Sequence, residues 1–266
     1  MRSTLTQPRP AAPPVPPEPP EPPAVRFRGV GKVHGVGAAR TTALAGVDLD
    51  VAPGEFVTIV GPSGCGKSTL LNIAAGLDKP TAGGVEVAGG QPAMVFQDAA
   101  LFPWLTVGGN IEAAFKLGGH GYSRAERRRR TAELLELVRL PGLEHRRPHE
   151  LSGGMRQRVA IARALAQQAD VLLMDEPFGA LDALTRGVLH GELERIWRER
   201  GIAILFVTHD VHEAVRLGDR VVVLGARPGR ILHDLPVTLG RPRSDGRAAA
   251  ELVSRVTAAL HGPSHG

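Results

Sequence analysis

Nine consecutive residues, Gly61, Pro62, Ser63, Gly64, Cys65, Gly66, Lys67, Ser68 and Thr69, fit the spacing G-x-x-x-x-G-K-[ST]. They directly follow the apolar, β-branched run 55–60 and open onto a helical pattern, the context that separates a true phosphate loop from a chance match. Glycines let successive backbone N–H groups turn inward as an anion nest, and the helix N-terminus adds partial positive charge. In such a loop Lys67 neutralises β- and γ-phosphate charge, and the Ser68 hydroxyl ligates Mg²⁺. Cys65 occupies a variable position of the loop, where its plain role is a small residue that fits, with alkylation slowed by bound nucleotide as a testable side effect. The pattern points to a nucleoside triphosphate and leaves open what its energy is used for.

A second half of the same chemistry stands in Val-Leu-Leu-Met-Asp-Glu-Pro, 171–177. A strand ending in Asp175 can hold Mg²⁺ through its water shell, and Glu176 at the strand tip can polarise an attacking water. An acidic pair alone is ordinarily surface charge; beside a phosphate loop it becomes informative. Leu151–Leu165 poses a different question, because after Ser152 the two glycines Gly153 and Gly154 stand where a helix would favour better formers. Two glycines there suit a helix N-terminus that an anion must approach closely.

The elements that must position these residues are legible as a pattern. Ala24–Val30 reads as an edge strand, and 46–51 repeats its alternation before an Ala-Pro-Gly turn. The run 55–60 is a strand covered on both faces. A helix through about Leu77 and strand-like pieces at 84–88 and 93–97 follow. From about Thr106 to Gln167 the pattern turns helical, with a Ser123/Glu126 capping box and Leu134, Leu135 and Val138 on one side. Strand 171–175, helix 182–199, strand 203–208, a short helix and strand 220–224 complete an α/β architecture with a helical insertion.

Composition bounds the rest. The chain has 266 residues, 42% of them hydrophobic, with a formal charge of +5 and a single cysteine. Arginine far outnumbers lysine, which together with abundant Ala, Gly and Pro reads as coding bias, so the charge is chiefly solvation. The four arginines 127–130 lack interleaved aromatics and read as a solvated helix face before a nucleic-acid patch. No run approaches the roughly 18 apolar residues of a membrane span, and no secretory signal is evident. Residues 1–23, with ten of the 22 prolines, are expected to be a disordered, extended tail.

With these motifs in hand, the chain resembles an ABC-type ATPase cassette over about residues 24–235. Leu-Ser-Gly-Gly at 151–154 resembles the family's signature motif, lying before the Walker B strand 171–177. Residues 179–182 resemble the D-loop, 207–210 the switch-histidine motif, and Gln97 the Q-loop glutamine. More narrowly, 101–111 with its Pro-Trp-Leu-Thr, the methionine after the double glycine, and Ala-Arg-Pro-Gly-Arg-Ile at 226–231 look like the ATPases of nitrate/sulfonate/taurine importers.

The resemblance implies a P-loop NTPase (RecA-like) fold with an antiparallel β-subdomain and a helical subdomain at about 98–167, followed by a C-terminal extension, 236–266. It implies ATP and Mg²⁺ as ligands, the metal held by Ser68, Gln97 and Asp175. Two copies would pair head-to-tail, so that Ser152, Gly153 and Gly154 reach the γ-phosphate of ATP bound by the other subunit. Glu176 would be the general base, His209 would bridge γ-phosphate and water, and Asp182 would lie at the dimer seam. The remaining partners would be transmembrane permease subunits and, indirectly, a periplasmic or extracellular substrate-binding protein, with no nucleic acid. The chain would sit on the cytoplasmic face of the membrane, energising uptake of a small anion. A soluble ABC ATPase acting on nucleic acid or ribosomes is the alternative, and a small-molecule kinase leaves the signature and switch motifs unexplained.

Three positions carry finer expectations. His34 stands where the family commonly has a tyrosine or phenylalanine stacked on adenine, so it is expected to contact the base, less strongly. The stretch before Gln97 is short and is expected to form a trimmed hairpin. Phe102 and Trp104 either pack a subdomain seam or, if exposed, anchor the permease.

Overall fold

The computed structural model describes residues 21–35, 40–179, 181–243 and 246–260. The expected proline-rich tail lies outside the described residues except for 21–23, which form no regular element.

Alternating apolar residues build a small antiparallel sheet. Its central strand is β1 (Val25–His34), flanked by β2 (Thr41–Val51) and β4 (Ala82–Val87). β1 is therefore not the edge strand its alternation suggests: Val25, Phe27 and Val30 bury one face, while β4 takes the backbone groups left free by β2. Alternation reports one buried face and is silent about how many neighbours a strand has.

The second sheet has six strands in the order β5-β6-β7-β3-β8-β9. β3 (Phe56–Val60), β6 (Val171–Asp175) and β7 (Ala203–Val207) are buried along their whole length. They pair in parallel, as do β5 (Ala93–Val95) with β6 and β8 (Arg220–Leu224) with β3. Near-continuous Val, Ile, Leu and Phe suits strands covered on both faces. One face packs α1 (Lys67–Ala74) and the small sheet through Leu70, Leu71, Ile59 and Leu205. The other packs α5 (Ala183–Arg200) and the helical insertion around Phe56, Phe178 and Phe206.

The insertion comprises α2 (Val107–Leu117), α3 (Arg124–Leu137) and α4 (Gly153–Ala166), placed in sequence between β5 and β6. α3 starts with the Ser123/Glu126 capping box, and Leu134, Leu135 and Val138 are buried. Its arginine run is occupied locally. Arg127 donates to Tyr122 O, Arg129 pairs with Glu133, and Arg130 lies over the Tyr122 ring at 4.2 Å.

Other details depart from the sequence reading. α1 stops at Ala74 instead of near Leu77, because Gly76 turns the chain with φ of 70°. The stretch before Gln97 is not a trimmed hairpin: β4 joins the small sheet and β5 the large one, so residues 88–92 cross between sheets. β9 (Ile231–Pro236), which the sequence reading did not place, is a strand antiparallel to β8. The described residues after 235 pack against the large sheet. Val237 and, from α7 (Arg247–Leu260), Leu252 and Val256 share a core with Val60, Val221 and Val223 beside α6 (Val211–Leu217). Arg243 is buried there, donating to the Val215, Arg216 and Gly218 carbonyls.

Candidate nucleotide site

The phosphate loop links buried β3 to α1, as a strand–loop–helix unit requires. Gly66 caps the helix with φ of 105°, and a Cβ there would stand 2.7 Å from Leu44 Cδ2 and 2.9 Å from Ala43 O. Only glycine serves at that point, on both backbone and steric grounds. Lys67 is 7% exposed, and its ammonium donates to Gly61 O at 2.8 Å and Pro62 O at 3.1 Å. These bonds fold the chain's one buried lysine back along the rim of the loop.

A cleft of about 700 Å³ opens over this loop. Its floor includes Ser63, Gly64, Gly66, Lys67, Ser68 and Thr69. Gln97, Glu176 and His209 also line it, as do His34, Thr41 and Arg227. Gly61 and Pro62 do not line it, and contribute through the carbonyls that hold Lys67. Cys65 also faces away: it is 1% exposed, with its sulfur against Gly61. Burial pushes its thiol pKa up, with the Lys67 charge opposing, so Cys65 is a guarded thiol and not the accessible alkylation site expected from sequence.

At the reactive end, Glu176 Oε2 lies 3.1 Å from His209 Nδ1 and accepts a 3.4 Å hydrogen bond from the Gln97 amide. β5 ends just before Gln97, β6 just before Glu176 and β7 just before His209, so three parallel strands deliver the triad. Glu176 adopts φ of 44°, a left-handed conformation rare for a residue with a Cβ, and is pinned by its N–H to Val207 O at 3.0 Å. Such strain concentrates where a side chain must be aimed. The His209 side chain is 65% exposed, free to meet a ligand.

Asp175, 7% exposed, stands at the end of β6. Its Oδ1 is buried without a hydrogen-bond partner among the described residues. Burial pushes its carboxyl pKa up; Ser68 and Lys67 oppose this, and the Glu176 charge adds to it. An orphaned buried carboxylate oxygen beside a hydroxyl and a second carboxylate fits a hard divalent cation.

Ser152, Gly153 and Gly154 do not line this cleft. Ser152 caps α4, accepting from Met155 N at 3.2 Å, and Gly153 is exposed beside it. Asp182 is likewise outside the cleft, capping α5 through Thr185 N, with its pKa lowered by the hydrogen bonds from Thr185. Burial lowers the pKa of Arg158 on α4, and the Asp182 charge opposes that shift. Arg227 and Thr41 are lining residues that the motif reading assigned no role. Arg227 was visible only as part of 226–231, and its approach to the phosphate loop depends on a backbone contact far away in sequence.

Strand–loop–helix, orphaned Asp175 and the Gln97–Glu176–His209 cluster together define a P-loop nucleotide-hydrolysing cassette. The chain belongs to the ABC transporter family, whose model, described as "ABC transporter", matches residues 44–179, and it is an ABC-type ATPase. The aliphatic sulfonates import ATP-binding protein SsuB of Bacillus licheniformis is 49% identical over 220 residues, covering 80% of this chain and 84% of that protein. The nitrate import ATP-binding protein NrtC of Synechococcus elongatus is 48% identical over 82% of this chain and 35% of its own length. Among solved structures, the dimeric ABC transporter cassette MJ0796 matches with a TM-score of 0.76 and 36% identity, over 81% of this chain and all of that one. A post-hydrolysis state of the same cassette, bound to ADP and Pi, matches at 0.76 and 35% over the same shares.

Proposed function

We propose that the chain is the ATP-hydrolysing subunit of a membrane importer that takes up a small anion of the sulfonate, taurine or nitrate type. The observation that carries the transport role is continuity along one short segment. Gln97 bonds Glu176 in the cleft, and a few residues later Phe102 is half-buried and Trp104 stands at the surface. Trp104 is 67% exposed, with its ring 5.4 Å from that of Phe102. Phe102 lines a groove of about 790 Å³ together with Leu77, Met94 and Leu117. A rigid aromatic beside a groove that mixes apolar residues with Arg163, His120 and glutamines suits a protein anchor, here the permease. No helix among the described residues is long and apolar enough to cross a membrane. Attachment to the cytoplasmic face would run through that partner. A substrate-binding protein would meet the permease, not this chain. The names of the two transport relatives support the anion class.

The signature residues support a head-to-tail dimer, since Ser152, Gly153 and Gly154 lie outside their own chain's cleft. In a second copy they would bring α4's N-terminus to the γ-phosphate, with Asp182 near the seam. Ser68, Asp175 and Gln97 would hold Mg²⁺, which when bound offsets charge on the β- and γ-phosphates. The phosphate-loop N–H groups and Lys67 hold and orient the triphosphate. Glu176 takes a proton from the attacking water, and His209 positions its carboxylate. Gln97 reports the state of Glu176 to the groove-forming segment.

Uptake by vesicles reconstituted with the cognate permease and binding protein, with competing anions, tests this reading. Trp104→Ala is expected to leave ATPase activity of the chain alone intact and to cut uptake by about tenfold or more. Unimpaired uptake would show that Trp104 anchors nothing.

A further inference from the structure

Arg227 lines the cleft from the turn between β8 and β9. That turn is built into the wall of the site. Gly229 N–H donates to Ala43 O at 2.8 Å, and Ala45 N–H donates to Gly229 O at 3.0 Å, stapling the turn to β2. A Cβ at Gly229 would stand 2.1 Å from Cys65 O, so backbone presses directly on the phosphate loop. Arg227 Nε donates to Gly64 O at 3.1 Å, its one side-chain hydrogen bond among the described residues. One edge of the guanidinium is thereby fixed to the loop, while the residue stays exposed.

The cleft has a polarity that decides what Arg227 meets. Glu176, Gln97 and His209 mark the γ-phosphate end, and the phosphate loop lies along the floor. What remains for the nucleobase is the end formed by His34 and Thr41, which pair across β1 and β2. Arg227 belongs to that end, because its turn is stapled to Ala43 and Ala45 on the same strand as Thr41. A planar, delocalised guanidinium stacks on aromatic faces, which an ammonium does not.

We propose that Arg227 is a nucleobase-binding residue, its guanidinium plane packing on the purine and supplementing the small imidazole of His34. It acts as a planar contact and not as a counter-charge for the phosphates. The inference rests on the nucleotide reading of the cleft and adds a second wall to its base end.

The test compares binding of ATP and of inorganic tripolyphosphate, both with Mg²⁺, to the full chain by calorimetry. Tripolyphosphate keeps the phosphate contacts and lacks the base. Arg227→Ala is expected to weaken ATP roughly fivefold or more while changing tripolyphosphate less than twofold. Arg227→Lys, which keeps stem and charge but loses the plane, is expected to show the same selective loss, and it carries the test if the alanine variant fails to fold. Equal losses for both ligands, or no loss for ATP, would overturn the proposal. Wild-type chain that binds neither ligand would overturn the nucleotide reading itself.

Discussion

Glu176 Oε2 and His209 Nδ1 stand 3.1 Å apart at the ends of two adjacent parallel strands. The Gln97 amide reaches the same carboxylate oxygen at 3.4 Å, so one oxygen is held from two sides. The other is left for water. Glu176→Gln preserves size and hydrogen bonding but cannot accept a proton. It is expected to bind ATP and accumulate an ATP-bound dimer, with phosphate release reduced by about a hundredfold or more. Size-exclusion and phosphate-release measurements check this, and wild-type turnover would exclude Glu176 as the base.

Ser152 caps α4, and one substitution can separate that role from the one proposed for it in the dimer. As a cap it satisfies Met155 N, and Ser152→Ala is expected to cost about 1 kcal/mol of stability in denaturant unfolding. As half of a shared site it is expected to matter only in the dimer. ATP affinity of the monomer should hold while ATP-dependent dimerisation and hydrolysis fall. Equal loss of monomer binding would place Ser152 within its own chain's site, against the cleft geometry.

His34 lines the cleft at the end of β1, exposed and paired in register with Thr41. Imidazole offers less stacking area than phenol. His34→Tyr is expected to tighten ATP a few-fold, about 1 kcal/mol at most, and to leave tripolyphosphate unchanged. Unchanged ATP affinity would argue that His34 does not stack on the base.

Cys65 gives a pH signature. Burial raises its thiol pKa, so the thiolate fraction near neutrality is lower than for a free cysteine. Alkylation by iodoacetamide is expected to be slow at pH 7, to rise with pH above the ordinary thiol range, and to slow further with ATP. Rapid alkylation at pH 7 would contradict the buried placement.

Much of this protein is readable before any folding is considered. Phosphate-loop spacing, the Asp175–Glu176 pair at a strand end, the Ser152 cap and the Ser123/Glu126 box are local facts, because each depends on residues within one turn or one loop. Buried strands such as 56–60 are local too, since continuous β-branched residues suit a strand covered on both faces. What the residues alone left open was pairing. Read as an edge, β1 became a central strand; the expected hairpin at 88–92 became a crossover between sheets; and described residues beyond 235 joined the core, because strand neighbours are chosen by hydrogen bonds between distant segments. The same holds at the site. Strand order gathered Gln97, Glu176 and His209 around one carboxylate, turned the Cys65 thiol inward, and brought Arg227 to Gly64. Those placements are set by packing across the whole sheet, and no spacing along the chain encodes them.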